Sequence, residues 1–184
     1  MKKFYILVCI AVMMVLNPLK VLSQVIDSVK VVTTKINGNE GKEDNNYSTK
    51  TTAAVNETND VVVKVNIADF NINSEQIQKA ELRIFFKEPG SNGNIGFHEI
   101  GTNWDPATAT WNIANTISMD QNAFTTLNVD KTEDSWYYFN MTDSIKAKIA
   151  IGKDFAWRLK SIDGTDATMR TSAHPDPVYQ PTIL

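Results

Sequence analysis

The chain has 184 residues, 18 of them basic and 21 acidic, for a net charge of −3, and 42% of its residues are hydrophobic. That length and composition fit one globular domain. The acidic balance argues against nucleic acid and anionic membrane surfaces as partners.

Lys2 and Lys3 open the chain, Phe4–Leu16 is an almost unbroken apolar run, and Val21-Leu22-Ser23 supplies a cleavage pattern. Residues 1–23 are therefore predicted to be a secretory signal peptide. The apolar run is shorter than the roughly 20 residues of a spanning helix, so no membrane insertion is expected after cleavage. Cys9 follows Val8 and lies too early to be a lipoprotein site. The leader holds Lys2, Lys3 and Lys20 and no acid, so its removal leaves 15 basic against 21 acidic residues, a net charge of −6. It also removes the one cysteine, which excludes disulfides, thiolate catalysis and thiolate metal sites. The domain expected over 24–184 must hold together by its core alone.

Val25–Lys35 reads as an opening strand with Val29 and Val31 on one face. Ile36–Asn59 turns polar and reads as a long surface loop, with a short strand near Thr52–Val55 and Tyr47 packed to pin it down. Val61–Ile67 and Glu81–Phe86 are rich in Val, Ile and Phe and are expected to form the central pair of the fold. Leu82, Ile84 and Phe86 should face the core, while Val61–Ile67 is apolar on both faces, as in a strand deep inside a sheet. Pro89-Gly90 and Asn92-Gly93 signal turns, and Ile95–Ile100 is the next strand. Trp104 ends it, Asp105-Pro106 turns the chain, and Trp111 is expected on a short strand beyond.

Phe124–Val129 and Trp136–Met141 supply further strands. Thr142–Gly152 is the one helical segment, capped by Thr142 or Asp143, with Ile145 and Ile149 on one face and Gly152 at its end. It should close one open end of the sheets. Phe155–Ser161 alternates, with Phe155, Trp157 and Leu159 on one side and Arg158 and Lys160 on the other. Ala167–Ser172 follows, and after Pro175, Pro177 and Pro181 a short last strand at Thr182–Leu184 is expected at a sheet edge.

If Phe155–Ser172 is a hairpin, side-chain parity selects a three-residue loop, Asp163–Thr165. Leu159 then faces Met169, and Arg158 faces Arg170, which opposes like charges. An acidic neighbour or an anionic ligand should offset this, and Lys160 adds to the cationic patch. Asp163-Gly164-Thr165-Asp166 is open to two readings, a hairpin turn or a calcium loop using Asp163 and Asp166. Trp136 and Tyr138 share a strand face opposite Tyr137 and Phe139, so one of these aromatic pairs is expected to be exposed. His98 and His174 read as structural and exposed respectively, and no phosphate loop, nucleophile elbow or paired-histidine motif is present.

Several segments, in order, resemble the DNRLRE-domain family of secreted bacterial modules. Asn46-Tyr47 is similar to its Asn-Tyr-Gly loop, with Ser48 for the glycine, and Val63-Lys64-Val65-Asn66-Ile67 to its Leu-Lys-Phe-Asp-Leu strand. Ala80-Glu81-Leu82-Arg83-Ile84 is similar to its Ala-x-Leu-x-Leu strand, and Trp104 followed by Thr110-Trp111-Asn112 to its most specific signature. Phe139-Asn140-Met141-Thr142-Asp143 resembles the family's entry into a helix. Asn66 and Asn140 stand where the family has acids, and the end at Leu184 is expected to leave a short last strand.

The resemblance implies an all-β, antiparallel jelly-roll-like β-sandwich with one short helix and a non-catalytic role, often sugar binding. The expectation is a secreted carbohydrate-binding module for a polysaccharide, including an acidic one such as alginate. Its ligand-binding candidates are Arg158, Lys160 and Arg170, whose arginines suit carboxylates, and Trp136 and Tyr138 as an aromatic platform. The alternative is a structural or adhesive surface module that binds protein. A structural calcium at Asp163 and Asp166 stays open.

Overall fold

The computed structural model describes residues 28–87, 90–130 and 134–184. The expected signal peptide, Cys9, the start of the opening strand and Pro89 lie outside the described residues. The described chain is all-β, with its strands in two antiparallel sheets. In the first sheet β1 (Val29–Lys30), β11 (Thr182–Ile183), β5 (Glu81–Phe86), β10 (Ala167–Arg170) and β3 (Thr52–Val55) follow one another, and β8 (Ser135–Asn140) takes the other side of β5. The second sheet has the order β2 (Val32–Asn37), β4 (Asn59–Val65), β9 (Phe155–Ser161), β6 (Gly93–Ile100) and β7 (Thr125–Val129).

Period-two alternation builds the core between the sheets. Leu82, Ile84 and Phe86 of β5, Val61, Val63 and Val65 of β4, and Phe155, Trp157 and Leu159 of β9 are all buried in it. Each such side chain contributes about 1.5–3 kcal/mol of burial, which suits a domain without cross-links. Phe70 and Ile77, from the polar connector between β4 and β5, join this core. Ile145 of helix α2 (Thr142–Ala150) does the same, with Ile149 packed against it, as a helix placed over the end of the sheets should.

A second apolar cluster lies behind the five-stranded sheet. Ile36, Val62, Ile100 and Ala156 point outward from it and are covered by Trp104, Ala109 and Ala114. This outer cluster explains why Val61–Val65 is apolar on both faces.

Several expectations are corrected. β4 and β5 do not pair but lie in opposite sheets, and so do β9 and β10, so Arg158 does not face Arg170. The chain changes sheet between most successive strands, and β6 and β7 are the sequence neighbours that hydrogen-bond to each other. The opening strand divides at Val31, with β1 and β2 in different sheets, and β2 takes Ile36 and Asn37 from the expected loop.

Trp111 starts a short helix, α1 (Trp111–Thr116), because the Thr110 hydroxyl accepts from the Ile113 amide as an N-cap. The last strand, β11, is inserted between β1 and β5 rather than lying at an edge. At α2 neither Thr142 nor Asp143 caps the start as expected: both lie inside the helix, and its first amide is held from outside, where Asn140 Oδ1 accepts from Thr142 N at 3.0 Å. Gly152 follows the helix in the left-handed conformation, φ +62°, that glycine allows.

Candidate functional site

The outer faces of the two sheets differ. Behind the five-stranded sheet, the 38–50 loop and the 101–118 segment form a cover stitched by polar contacts. Asn46 Nδ2 donates to the Pro106 and Ala109 carbonyls at 2.9 and 2.8 Å, and Asn112 Nδ2 to Asp44 Oδ1 at 2.7 Å. Tyr47 pins the loop as expected, with Lys35 Nζ 5.3 Å from its ring centre. Gly38 admits the Trp111 indole, since a Cβ there would lie 2.6 Å from the ring.

Arg158 lies under this cover, 4% exposed. Its Nε donates to Asp60 Oδ2 at 2.7 Å, its Nη1 to Asn115 Oδ1 at 2.9 Å, and its guanidinium sits 4.9 Å from the Trp111 ring centre. An acidic neighbour therefore offsets its charge. Burial pushes the Asp60 carboxyl above its ordinary value, although Arg158 pulls in the opposite direction. Lys160 shares the outward face of β9 and stands opposite Gly96.

The outer face of the six-stranded sheet is different. Arg83 and Phe85 point outward from β5, opposite Tyr138 and Trp136 of β8. Phe85 meets Trp136 edge to face at 5.2 Å and Tyr179 at 4.8 Å. Trp136 and Tyr179 are nearly parallel, 8° apart with centroids 6.4 Å from each other. The Arg83 guanidinium lies 4.5 Å from the Trp136 ring centre, and its Nε donates to Thr182 Oγ1 at 2.8 Å. Tyr138 is 52% exposed. Of the two pairs, Trp136 and Tyr138 face outward, Trp136 half-buried and Tyr138 exposed, while Phe139 is buried in the core.

Arg170 is on this same outward face. Met169 pairs with Phe86, so antiparallel register sets Arg170 beside Phe85. Its buried Nε has no acceptor. Neither Arg83 nor Arg170 forms an ion pair with a described residue. The structure therefore brings Arg170, Trp136 and Tyr138 together and places Arg158 and Lys160 behind the opposite sheet.

Sequence reasoning missed three members of this face. Arg83 and Phe85 carried a signal, because they are the outward set of β5. Tyr179 lay in a stretch read only as proline-broken. There the Asp176 carboxylate accepts from the Val178 amide at 2.9 Å and caps a single turn, Pro177–Tyr179, that presents the ring to Trp136.

Asp163 sits where the chain crosses from β9 to β10. Its carboxylate accepts from Asn94 N at 2.7 Å, Asn94 Nδ2 at 2.8 Å and Thr165 Oγ1 at 2.8 Å, which holds its pKa below the ordinary carboxylate value. Asp166 Oδ1 accepts from Asn56 Nδ2 at 3.1 Å. These bonds make the segment a latch between strands, and a cation there would have to displace them. Among the described residues no group of three or more His, Cys, Asp or Glu side chains could hold a metal, so the fit to calcium is poor.

The sequence model of carbohydrate-binding module family 96 matches residues 37–177, most of the chain. No curated protein matches the chain. The matched span runs from the end of β2 into the turn that carries Tyr179, and so covers β3 to β10, from both sheets, and most of the aromatic face. The chain belongs to carbohydrate-binding module family 96.

Proposed function

We propose that the chain is an exported, non-catalytic module that binds an acidic polysaccharide, such as alginate, on the outer face of its six-stranded sheet. The observation that carries this reading is the meeting of Arg83 with Trp136, Tyr138 and Tyr179 on an uncovered face. Aromatic rings accept the C–H side of a sugar ring, and a planar guanidinium donates two parallel hydrogen bonds to a carboxylate. Among the described residues neither Arg83 nor Arg170 is ion-paired, so a uronate carboxylate suits this face. Lys2, Lys3 and the apolar run after them support export.

Binding by the single module is expected to be modest, at about mM to µM dissociation constants, or about −4 to −8 kcal/mol. The test is a panel of acidic and neutral polysaccharides presented to the folded chain. Retention on uronate polymers that falls with added salt is expected. Retention on neutral polymers alone contradicts the acidic assignment, and retention on none contradicts the function.

A further inference from the structure

A separate groove lies at the edge of the five-stranded sheet, on the opposite side of the sandwich from the aromatic face. It encloses about 280 Å³ and is lined by Val32, Lys64, Asn66, Trp104, Asp105 and Pro106. Val32 and Lys64 are cross-strand neighbours on the edge strand β2 and on β4. The facing wall is fixed in place. Lys64 Nζ donates to the Thr102 and Trp104 carbonyls, both at 3.0 Å, while Asn46 and Thr34 hold the Pro106 carbonyl at 2.9 and 3.3 Å.

This groove keeps unspent hydrogen-bonding capacity. An ammonium has three donors, and Lys64 uses two of them on the wall. The Trp104 ring, 5.7 Å from Lys64 Nζ, forms part of the same wall. The Asn66 amide is exposed at the rim, and Asp105 adds a carboxylate acceptor, one oxygen of which takes the Ala107 amide at 2.8 Å. Val32, 39% exposed, and Pro106 give the groove an apolar side.

We infer that the groove is a second saccharide site, for a single uncharged sugar residue, and that the module is therefore two-sided. A sugar ring offers one face of C–H groups for Val32 and Pro106, and an edge of neighbouring hydroxyls that both donate and accept. The hydroxyls meet Lys64, Asn66 and Asp105 together. Lys64 and Asp105 balance in charge, so a uronate gains nothing here and its carboxylate faces that of Asp105. Because the two sites look out from opposite sheets, one module joins two polysaccharide segments, and avidity follows from the pair. This inference shares with the proposed function the premise that the ligand is a saccharide.

The tryptophan indoles report on the two sites separately. The ¹⁵N-labelled chain, with resonances assigned through the backbone, is titrated with mannotetraose, xylotetraose and cellotetraose, and then with an alginate tetrasaccharide. A saturable shift of the Trp104 indole signal is expected with at least one neutral oligosaccharide, and of the Trp136 signal with the alginate oligosaccharide. Asn66→Arg, at the exposed rim, should weaken the neutral binding about tenfold or more and leave the Trp136 titration unchanged. A Trp104 signal that none of the neutral sugars moves overturns the groove, even where Trp136 responds to alginate. So does neutral binding that Asn66→Arg leaves intact. A Trp136 signal that no saccharide moves, with Trp104 responding, overturns the aromatic face instead and leaves the groove standing.

Discussion

The two outer faces of this sandwich put arginine to opposite uses. Behind the five-stranded sheet, Arg158 is roofed over and tied to Asp60, Asn115 and Trp111. On the six-stranded sheet, Arg83 also lies against a tryptophan, yet its hydrogen-bond partner is a hydroxyl, and among the described residues it forms no ion pair. The contrast teaches that an arginine–tryptophan contact does not by itself mark a binding site. What distinguishes the two is whether the charge is already neutralised and whether the face is covered.

The comparison can be broken most severely at Arg158. Replacing it with alanine strands Asp60 in a buried site and should cost about 3–5 kcal/mol of stability, the usual penalty for removing one partner of a buried ion pair. Urea unfolding reads this as a lower midpoint. Arg83→Ala should do the reverse, with a midpoint change within about 0.5 kcal/mol but about 1.5–3 kcal/mol lost from binding to a uronate oligosaccharide, measured by calorimetry. Equal stability losses for both variants would erase the distinction between the faces.

A smaller test probes the cover itself. Gly38→Ala pushes a Cβ into the Trp111 indole, which closes over Arg158. It should destabilise by about 1–3 kcal/mol, as overpacking does, and leave uronate binding unchanged. A binding loss as large as that of Arg83→Ala would show that the covered face also takes part.

The mildest effect concerns pH and the latch between β9 and β10. The Asp163 carboxyl titrates below its ordinary value of 3.8 because of the Asn94 amide first and the Thr165 hydroxyl second. A lowered carboxyl contributes stability that is complete above the ordinary value and is lost as pH falls through the folded one. Asp163→Asn should therefore flatten the acid limb of a melting-temperature profile below about pH 4. Asp60 has the opposite sign, since its raised value favours the folded state only at low pH. An acid limb unchanged in Asp163→Asn would mean that the latch contributes nothing measurable.

How much of this was legible in the sequence follows from which signals are local. Alternation of Leu82, Ile84 and Phe86, and of Phe155, Trp157 and Leu159, is a local pattern, and it placed the core residues correctly. Pairing is not local. β4 and β5 read as partners because they are adjacent strong strands, but the chain crosses between sheets after most strands. The same non-locality hid Asp60, which lies 98 residues from the arginine it neutralises. On the open face, Trp136 and Tyr138 share a strand and could be found together. Arg83 and Tyr179 join them from β5 and from a proline-braced turn, a meeting that only the fold brings about. Trp111 is expected on a short strand after the Asp105-Pro106 turn, whereas the Thr110 cap decides for a helix.

The central claim is that the aromatic face of the six-stranded sheet, and not the cationic outer side of β9 in the other sheet, carries uronate recognition. Affinity electrophoresis through an alginate gel tests it with a charge-matched pair, Arg83→Ala and Lys160→Ala, each checked for folding. The account predicts that retardation of the wild-type chain is abolished in Arg83→Ala and kept in Lys160→Ala. Retardation kept in Arg83→Ala and lost in Lys160→Ala would contradict it.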